Sequence, residues 1–321
     1  MSSPRIAVVI PCFKVQKHIL NVLALVGPEV EKIYVVDDCC PEQSGQWVKS
    51  HCKDPRVQVI FNARNLGVGG ATITGYKAAL EDHMDLVVKV DGDEQMDPRL
   101  IPKLIRPIID GSADYTKGNR FYSYELVRDM PKMRVLGNGV LSFFIKISSG
   151  YWNILDPNNG YTAIHRAALQ HIDLDKISQG YFFESDLLFR LNTVRAVVMD
   201  VPMQAVYGEE KSNLKILQVM PSFVAGHIKN FFKRIAYNYF LRDMNIASFE
   251  LVLGVAFLVF GIVYGGIHWA NSLAHATYAP GGVIMLAALS VMLGTQLLLS
   301  AINYDVQNVP SIPLQKFFSG F

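Results

Sequence analysis

Charge is scarce in this chain, and cysteine scarcer. Of 321 residues, 18% are charged, against roughly 25% in an average soluble protein, so neither disorder nor a fully solvated chain fits the composition. The four cysteines, Cys12, Cys39, Cys40 and Cys52, crowd into the start of the chain, with no CxxC pair and no His at zinc-ligand spacing. That excludes a disulfide scaffold and leaves them as reduced core or turn residues. Neither sign of charge dominates: 30 Lys and Arg face 28 Asp and Glu, a net charge of +2. No chain-wide basic field marks a nucleic-acid binder, no nucleic-acid partner is expected, and any anion site must be local. Internal repeats and low-complexity tracts are missing, as is a Gly-x-Gly-x-x-Gly run after the first apolar segment, which disfavours a dinucleotide-binding Rossmann domain. Met1 to Arg5 run straight into apolar Ile6 to Ile10, so no cleavable secretory signal is expected and the N-terminal part should stay in the cytoplasm.

Apolar residues, by contrast, make up 50% of the chain, and they are unevenly placed. Ile246 to Ala270 contains a single acidic residue, Glu250, and Gly281 to Tyr304 contains no charged residue. Each run suits a crossing of a hydrocarbon core, which takes about 20 residues, so two transmembrane helices are expected over 246–270 and 281–304. Lys229, Lys233, Arg234 and Arg242 precede the first run and Lys316 follows the second, while His268 to Pro280 holds neither Lys nor Arg. By the positive-inside rule both ends face the cytoplasm. Between these regions, Ile228, Phe231, Phe232, Ile235 and Tyr239 follow helical spacing beside Lys229 and Lys233. This pattern fits an interfacial amphipathic helix over 221–245, or a helix packed on protein. The expected organisation is a soluble domain over 1–220, the interfacial region over 221–245, and a membrane anchor with a short cytoplasmic tail over 246–321.

The soluble part alternates strand and helix patterns. Strands are expected at Ile6 to Ile10, Lys32 to Val36, Val57 to Phe61 and Leu86 to Val90, with helices at Lys17 to Val26, Ser44 to Cys52, Val68 to Asp82 and Pro98 to Asp110. The order implies an α/β fold with a mostly parallel sheet, whose ligands bind beyond the carboxyl ends of the strands. Carboxylates cluster there: Asp37-Asp38 follow the second strand and Asp91-Gly92-Asp93-Glu94-Gln95 the fourth. An Asp-x-Asp turn offers oxygen ligands to a hard cation such as Mg2+ or Mn2+, although acidic residues are also common in turns and helix caps. Asn65-Leu66-Gly67 opens a helix where glycines let backbone approach an anion, or merely form a tight turn.

These segments, with Val9-Ile10-Pro11, Lys117-Gly118-Asn119-Arg120, Asp156 to Tyr161 and Glu184-Ser185-Asp186, resemble the family 2 glycosyltransferases of GT-A fold. Within that family the likeness is to the polyprenyl-phosphate glycosyltransferases typified by dolichyl-phosphate mannose synthase and bacterial undecaprenyl-phosphate glucosyltransferases. The resemblance implies a GT-A, Rossmann-like domain followed by interfacial helices and a two-span anchor in the cytoplasmic membrane. It implies that Pro11 and Asp37 or Asp38 line the base pocket, with Asn65, Gly67, Glu184 and Asp186 also on the donor side. Asp91, Asp93 and Gln95 would hold Mg2+ or Mn2+ on the donor diphosphate, and Arg120 and Arg134 would grip the acceptor phosphate. Where family members have an Arg-rich loop, this chain has Tyr207 to Asn213, with Lys211 and Lys215 either substitute phosphate cations or simple loop charges; Gly118-Asn119-Arg120 replaces Gly-Ser-Arg, so the likeness is to the broader family rather than to mannose synthase itself.

The implied reaction is inverting transfer of one hexose from a UDP- or GDP-sugar to a polyprenyl phosphate, in a cell-envelope glycan pathway. An ionised acceptor phosphate needs no strong base, leaving Asp156 as a base, a sugar-orienting group or a turn cap. No Gln-x-x-Arg-Trp motif of processive relatives is present. Two other readings stay open: a glycolipid synthase with a lipid hydroxyl acceptor, and an inactive membrane-tethered nucleotide-sugar-binding scaffold. The resemblance implies a homotetramer.

Overall fold

The computed structural model describes residues 3–122, 132–156, 159–203 and 216–318, with side chains at 132–134 and 216–219 left aside. The chain forms two compact units, Met1–Phe232 with Pro310–Phe321, and Lys233–Val309. The division falls within Ile216–Ile235, and Pro310–Phe321 groups with the first unit.

The first unit is built on a seven-stranded sheet of order β3-β2-β1-β4-β6-β5-β7. Its strands are β1 (Ile6–Cys12), β2 (Lys32–Asp37), β3 (Val57–Phe61), β4 (Leu86–Lys89), β5 (Tyr115–Asn119), β6 (Thr162–His165) and β7 (Val198–Pro202). The first four are mutually parallel; β6 runs antiparallel to both β4 and β5, and β7 is parallel to β5. β1 is buried at every position except half-buried Pro11, as a continuous apolar run must be when helices cover both faces of a parallel sheet. Ile6, Val8, Ile10, Val35, Val88, Val90, Ile101, Leu104 and Ile108 form much of the core.

Helices α1 (Ile19–Ala24), α2 (Ser44–His51), α3 (Gly67–Glu81) and α4 (Ile101–Ile109) alternate with these strands. α3 comes unusually close to β1, since a Cβ at Gly75 would lie 2.3 Å from a methyl of Val9. Farther along come α5 (Lys132–Ser149), α6 (Arg166–His171), α7 (Phe183–Thr193) and α8 (Ile216–Ile235). α5 was not anticipated from the sequence. It leaves Leu136, Val140, Phe143 and Phe144 exposed. α8 behaves similarly within this unit: polar His227 and Asn230 are buried, while apolar Val224, Ile228 and Phe232 are exposed. His227 Nδ1 meets Ser148 Oγ at 2.8 Å, and Asn230 donates to Asp186 at 3.0 Å. The tail closes the unit through Asp114, which accepts from the backbone N–H of Leu314 at 2.8 Å and of Gln315 at 3.1 Å.

In the second unit α9 (Ile246–Ala274) and α10 (Gly281–Gln307) are each long and apolar enough to cross a membrane, with mean hydropathies of 2.5 and 2.1. They pack through glycines: a Cβ at Gly261 would approach the Ala287 carbonyl to 2.9 Å, and one at Gly294 the Gly254 carbonyl to 2.9 Å, the close backbone approach that small residues permit in lipid. A π-helical stretch, Ala236–Arg242, precedes α9. Tyr239, expected on an apolar interfacial stripe, is buried and donates its hydroxyl to Asp305 at 2.6 Å, beside a two-pronged Arg234–Asp305 ion pair.

Candidate active site

The carboxyl ends of β1, β2 and β4 gather the residues singled out from the sequence. At the end of β2, Asp37 and Asp38 are both buried, and a buried carboxylate must be hydrogen-bonded. Asp37 accepts from the backbone N–H of Cys40 at 2.8 Å and of Gly45 at 2.6 Å. Asp38 accepts from the Asn62 side chain at 2.8 Å, the Leu66 N–H at 2.9 Å and the Gly67 N–H at 2.7 Å. Gly67 has φ of +80°, a left-handed conformation suited to glycine. Asn65 accepts from the same Gly67 N–H at 3.0 Å. The two carboxylates thus fix the loops that follow β2 and β3, and Pro11 lies beside Val36 in strand register.

Past β4, Asp91 and Asp93 are half-buried and Gln95 is exposed. Asp93 accepts from the Gln95 N–H at 3.1 Å, and Glu94, at φ +65°, reaches His18 Nδ1 at 2.7 Å. The Glu94 carboxyl is held below its ordinary value by His18 and then Asn21. Asp91 meets a residue that sequence reasoning missed: Lys89, 1% exposed, donates to Asp91 at 2.7 Å and lies 3.5 Å from Glu184. Burial would depress the Lys89 ammonium, but the carboxylates of Asp91 and Glu184 outweigh it and raise its pKa. A Lys inside the otherwise apolar Leu86–Lys89 strand was the available signal.

Arg120, just after β5, grips Asp156 with two prongs, Nε to Oδ2 at 2.7 Å and Nη2 to Oδ1 at 3.0 Å, and its backbone N–H adds a third bond at 3.1 Å. Asp156 is fully buried and the Arg120 side chain is 23% exposed. Near them lie two further charged groups: Lys117, part of the Lys117-Gly118-Asn119-Arg120 segment but with no role expected from the sequence, and Asp200. Lys117 is fully buried and its pKa is pushed down to about 8 by burial, against the pull of Glu184, Asp156 and Asp200. Asp200 is pushed up to about 6 by burial, with one oxygen bonded to Asn119 and to the Leu155 N–H and the other without a partner.

Glu184 stands in the first turn of α7, beside Lys89. Asp186 is engaged elsewhere, accepting from the Ser178 N–H at 2.9 Å, Arg190 at 3.0 Å and Asn230 at 3.0 Å. It ties α7 to α8. Arg134 lies on α5 with its side chain outside the described residues, and Lys211 lies outside them altogether. Among the described residues no three His, Cys, Asp or Glu side chains form a ready-made metal cage. Asp91 and Asp93 nevertheless suit a hard divalent ion, which is commonly held by one or two carboxylates with substrate phosphates completing its shell.

The model of glycosyl transferase family 2 matches residues 7–173. The chain belongs to that family. Its sheet is the mostly parallel GT-A type. A UDP-N-acetylglucosamine–dolichyl-phosphate N-acetylglucosaminyltransferase of Methanococcus voltae is 30% identical over 223 residues, covering 65% of this chain and 88% of its own. An undecaprenyl-phosphate mannosyltransferase of Micrococcus luteus is 32% identical over 179 residues, covering 55% and 72%. Among solved structures, glucosyl-3-phosphoglycerate synthase of Mycobacterium tuberculosis with Mn2+ and UDP-glucose has a TM-score of 0.54 at 18% identity, covering 72% of this chain and 79% of that one. At such identity the likeness is one of fold. The first relative is named for N-acetylglucosamine and dolichyl phosphate, the second for mannose and undecaprenyl phosphate.

Proposed function

We propose that this glycosyltransferase moves one hexose, or a hexose derivative, from a UDP- or GDP-sugar to a polyprenyl phosphate at the cytoplasmic face of the cytoplasmic membrane, with inversion at the anomeric carbon. The observation that carries the reading is Arg120, clamped by buried Asp156 on the same sheet edge as Asp91 and Asp93. A guanidinium held at that edge is a cation suited to phosphate recognition, and an acceptor phosphate is the anion that the reaction supplies.

Asp91 and Asp93 would hold Mg2+ or Mn2+, with Gln95 adjacent. When bound, that ion neutralises the negative charge developing on the departing diphosphate. Asp37 and Asp38 shape the nucleotide pocket, Asn65 and Gly67 form its lip, and Glu184, beside Lys89, orients sugar hydroxyls. Arg120, with Arg134 and Lys211 as further cations, receives the acceptor phosphate. That phosphate is already ionised and attacks without a base, so catalysis is mostly placement. The engagement of both Asp156 oxygens by Arg120 supports a role for Asp156 in placing that cation rather than in taking a proton. It disfavours a lipid hydroxyl acceptor, which would need a base; the Asp91–Asp93 pair disfavours an inactive scaffold.

Two spans, α9 and α10, anchor the chain, and the exposed apolar residues of α5 and α8 suit the headgroup boundary, where a polyprenyl tail stays in lipid. The placement of Lys and Arg supports both ends facing the cytoplasm. The enzyme is non-processive, and it assembles as a homotetramer. The test is incubation of the full-length protein in membranes with labelled UDP-glucose, UDP-GlcNAc or GDP-mannose, polyprenyl phosphate, and Mg2+ or Mn2+. A lipid-linked monosaccharide identified by mass is expected; none from any donor, with the protein folded, overturns the proposal.

A further inference from the structure

A row of three residues crosses β4, β6 and β5. Thr162 is the register partner of Lys89 on one side and of Lys117 on the other. Directly opposed residues of antiparallel strands project to the same face, so both lysines rise from one face of the sheet with Thr162 between them. All three are buried. Each ammonium reaches a backbone carbonyl, and the two carbonyls are consecutive: Lys117 donates to Asn159 and Lys89 to Gly160, the latter at 3.3 Å. The backbone sits directly on these cations, since a Cβ at Gly160 would lie 2.5 Å from Lys89 Nζ. The Asn159 N–H donates to the Asp156 carbonyl at 3.3 Å, so whatever fixes Asn159 also fixes the residue that clamps Arg120.

We propose that Lys117 is a positioning residue for the transfer step, holding Asn159 so that the Asp156–Arg120 pair keeps its place relative to Asp91 while Lys89 holds Gly160 beside it. A buried ammonium is costly unless paired and hydrogen-bonded. The charged groups acting on Lys117 are Glu184 from α7, Asp156 from the segment it holds, Asp200 from β7 and, in opposition, Lys89 from β4. Three carboxylates favour the charged form and one neighbouring cation resists it. Loss of the Lys117 proton removes a charge that these carboxylates share and weakens its hydrogen bond to the Asn159 carbonyl, which loosens the segment.

The inference rests on the proposed transfer to polyprenyl phosphate, and the experiment separates the two. Full-length wild type, Lys117→Met and Lys117→Arg are compared in detergent for kcat between pH 7 and 9.5, for binding of the donor's nucleoside diphosphate with Mn2+ by calorimetry, and for hydrogen exchange of peptides covering 156–161. Wild-type kcat should fall as pH rises through about 8. Lys117→Met should lower kcat about 100-fold, the cost of misplacement by roughly 1 Å, with nucleotide affinity changed less than about threefold. Lys117→Arg, which stays charged throughout this range, should keep most activity at pH 7.5 and abolish the alkaline fall. Faster exchange over 156–161 in Lys117→Met is expected whether or not a lipid product forms, so absence of product from wild type strikes only the proposed function. A flat wild-type profile, an unchanged alkaline fall in Lys117→Arg, or unaltered exchange in folded Lys117→Met overturns the inference. If Lys117→Met fails to fold, the wild-type and arginine profiles decide.

Discussion

Replacing Asp156 by Asn separates a carboxylate that takes a proton from one that works by holding Arg120. The substituted amide would retain an acceptor for the Arg120 backbone N–H and lose the charge that binds the guanidinium at 2.7 and 3.0 Å. Breaking a buried pair from one side costs about 3–5 kcal/mol. Arg120 keeps 23% of its side chain in contact with solvent, and water recovers part of that cost, so a stability loss of about 2 kcal/mol is expected. The catalytic cost should come through the misplaced guanidinium, about 100-fold in kcat. The decisive quantity is the coupling with Arg120→Ala. If Asp156 acts through Arg120, the double variant transfers no more slowly than Arg120→Ala alone, because the second change removes nothing further. The assay is initial-rate transfer to polyprenyl phosphate in detergent at saturating donor, with nucleotide affinity measured separately. Losses that multiply across the two variants would refute the reasoning, as would full activity of Asp156→Asn.

Asp93→Ala should abolish transfer and weaken Mn2+ binding, measured by electron paramagnetic resonance with the nucleoside diphosphate present, while the circular dichroism spectrum stays unchanged; normal turnover removes its assigned role. Asp200, raised to about 6 from an ordinary value of 3.8, binds its proton more tightly folded than unfolded. Its contribution is thus favourable below pH 4 and is lost as pH rises through 6. Asp200→Asn should therefore melt higher than wild type at pH 7.5, by up to about 2 kcal/mol, and no higher at pH 4; the same gain at both values would exclude the carboxyl as the source. Gly45→Ala would put a Cβ 2.6 Å from that of Asp37. It should lower stability by about 1–3 kcal/mol and weaken nucleotide binding, both visible in a thermal melt with and without nucleotide.

How far the sequence reveals this fold depends on the range over which each constraint acts. The first four strands were legible because a covered parallel sheet demands continuous apolar runs, as in β1, and the two long helices because a bilayer demands about 20 apolar residues in succession. Asp91 and Asp93 are common turn residues taken alone, and stood out because the neighbouring segments resemble the same family. Lys89 and Lys117 were hidden for the converse reason. Each is a charge inside a buried strand, and its partners, Glu184, Asn159 and Gly160, become neighbours only once β6 inserts between β4 and β5. The tail is the extreme case: Leu314 and Gln315 find Asp114 across 200 and 201 positions, a pairing to which no local periodicity contributes. The role of Asp156 shifted for a related reason. In sequence it is a carboxylate before a proline, equally a base, a sugar ligand or a cap; in the fold both its oxygens face one guanidinium. Burial forces such a group to find a cation, and the cation it finds is Arg120, 2.7 Å away. Under the proposed transfer, Asp156 would set where the acceptor is received by fixing Arg120 rather than by touching the acceptor.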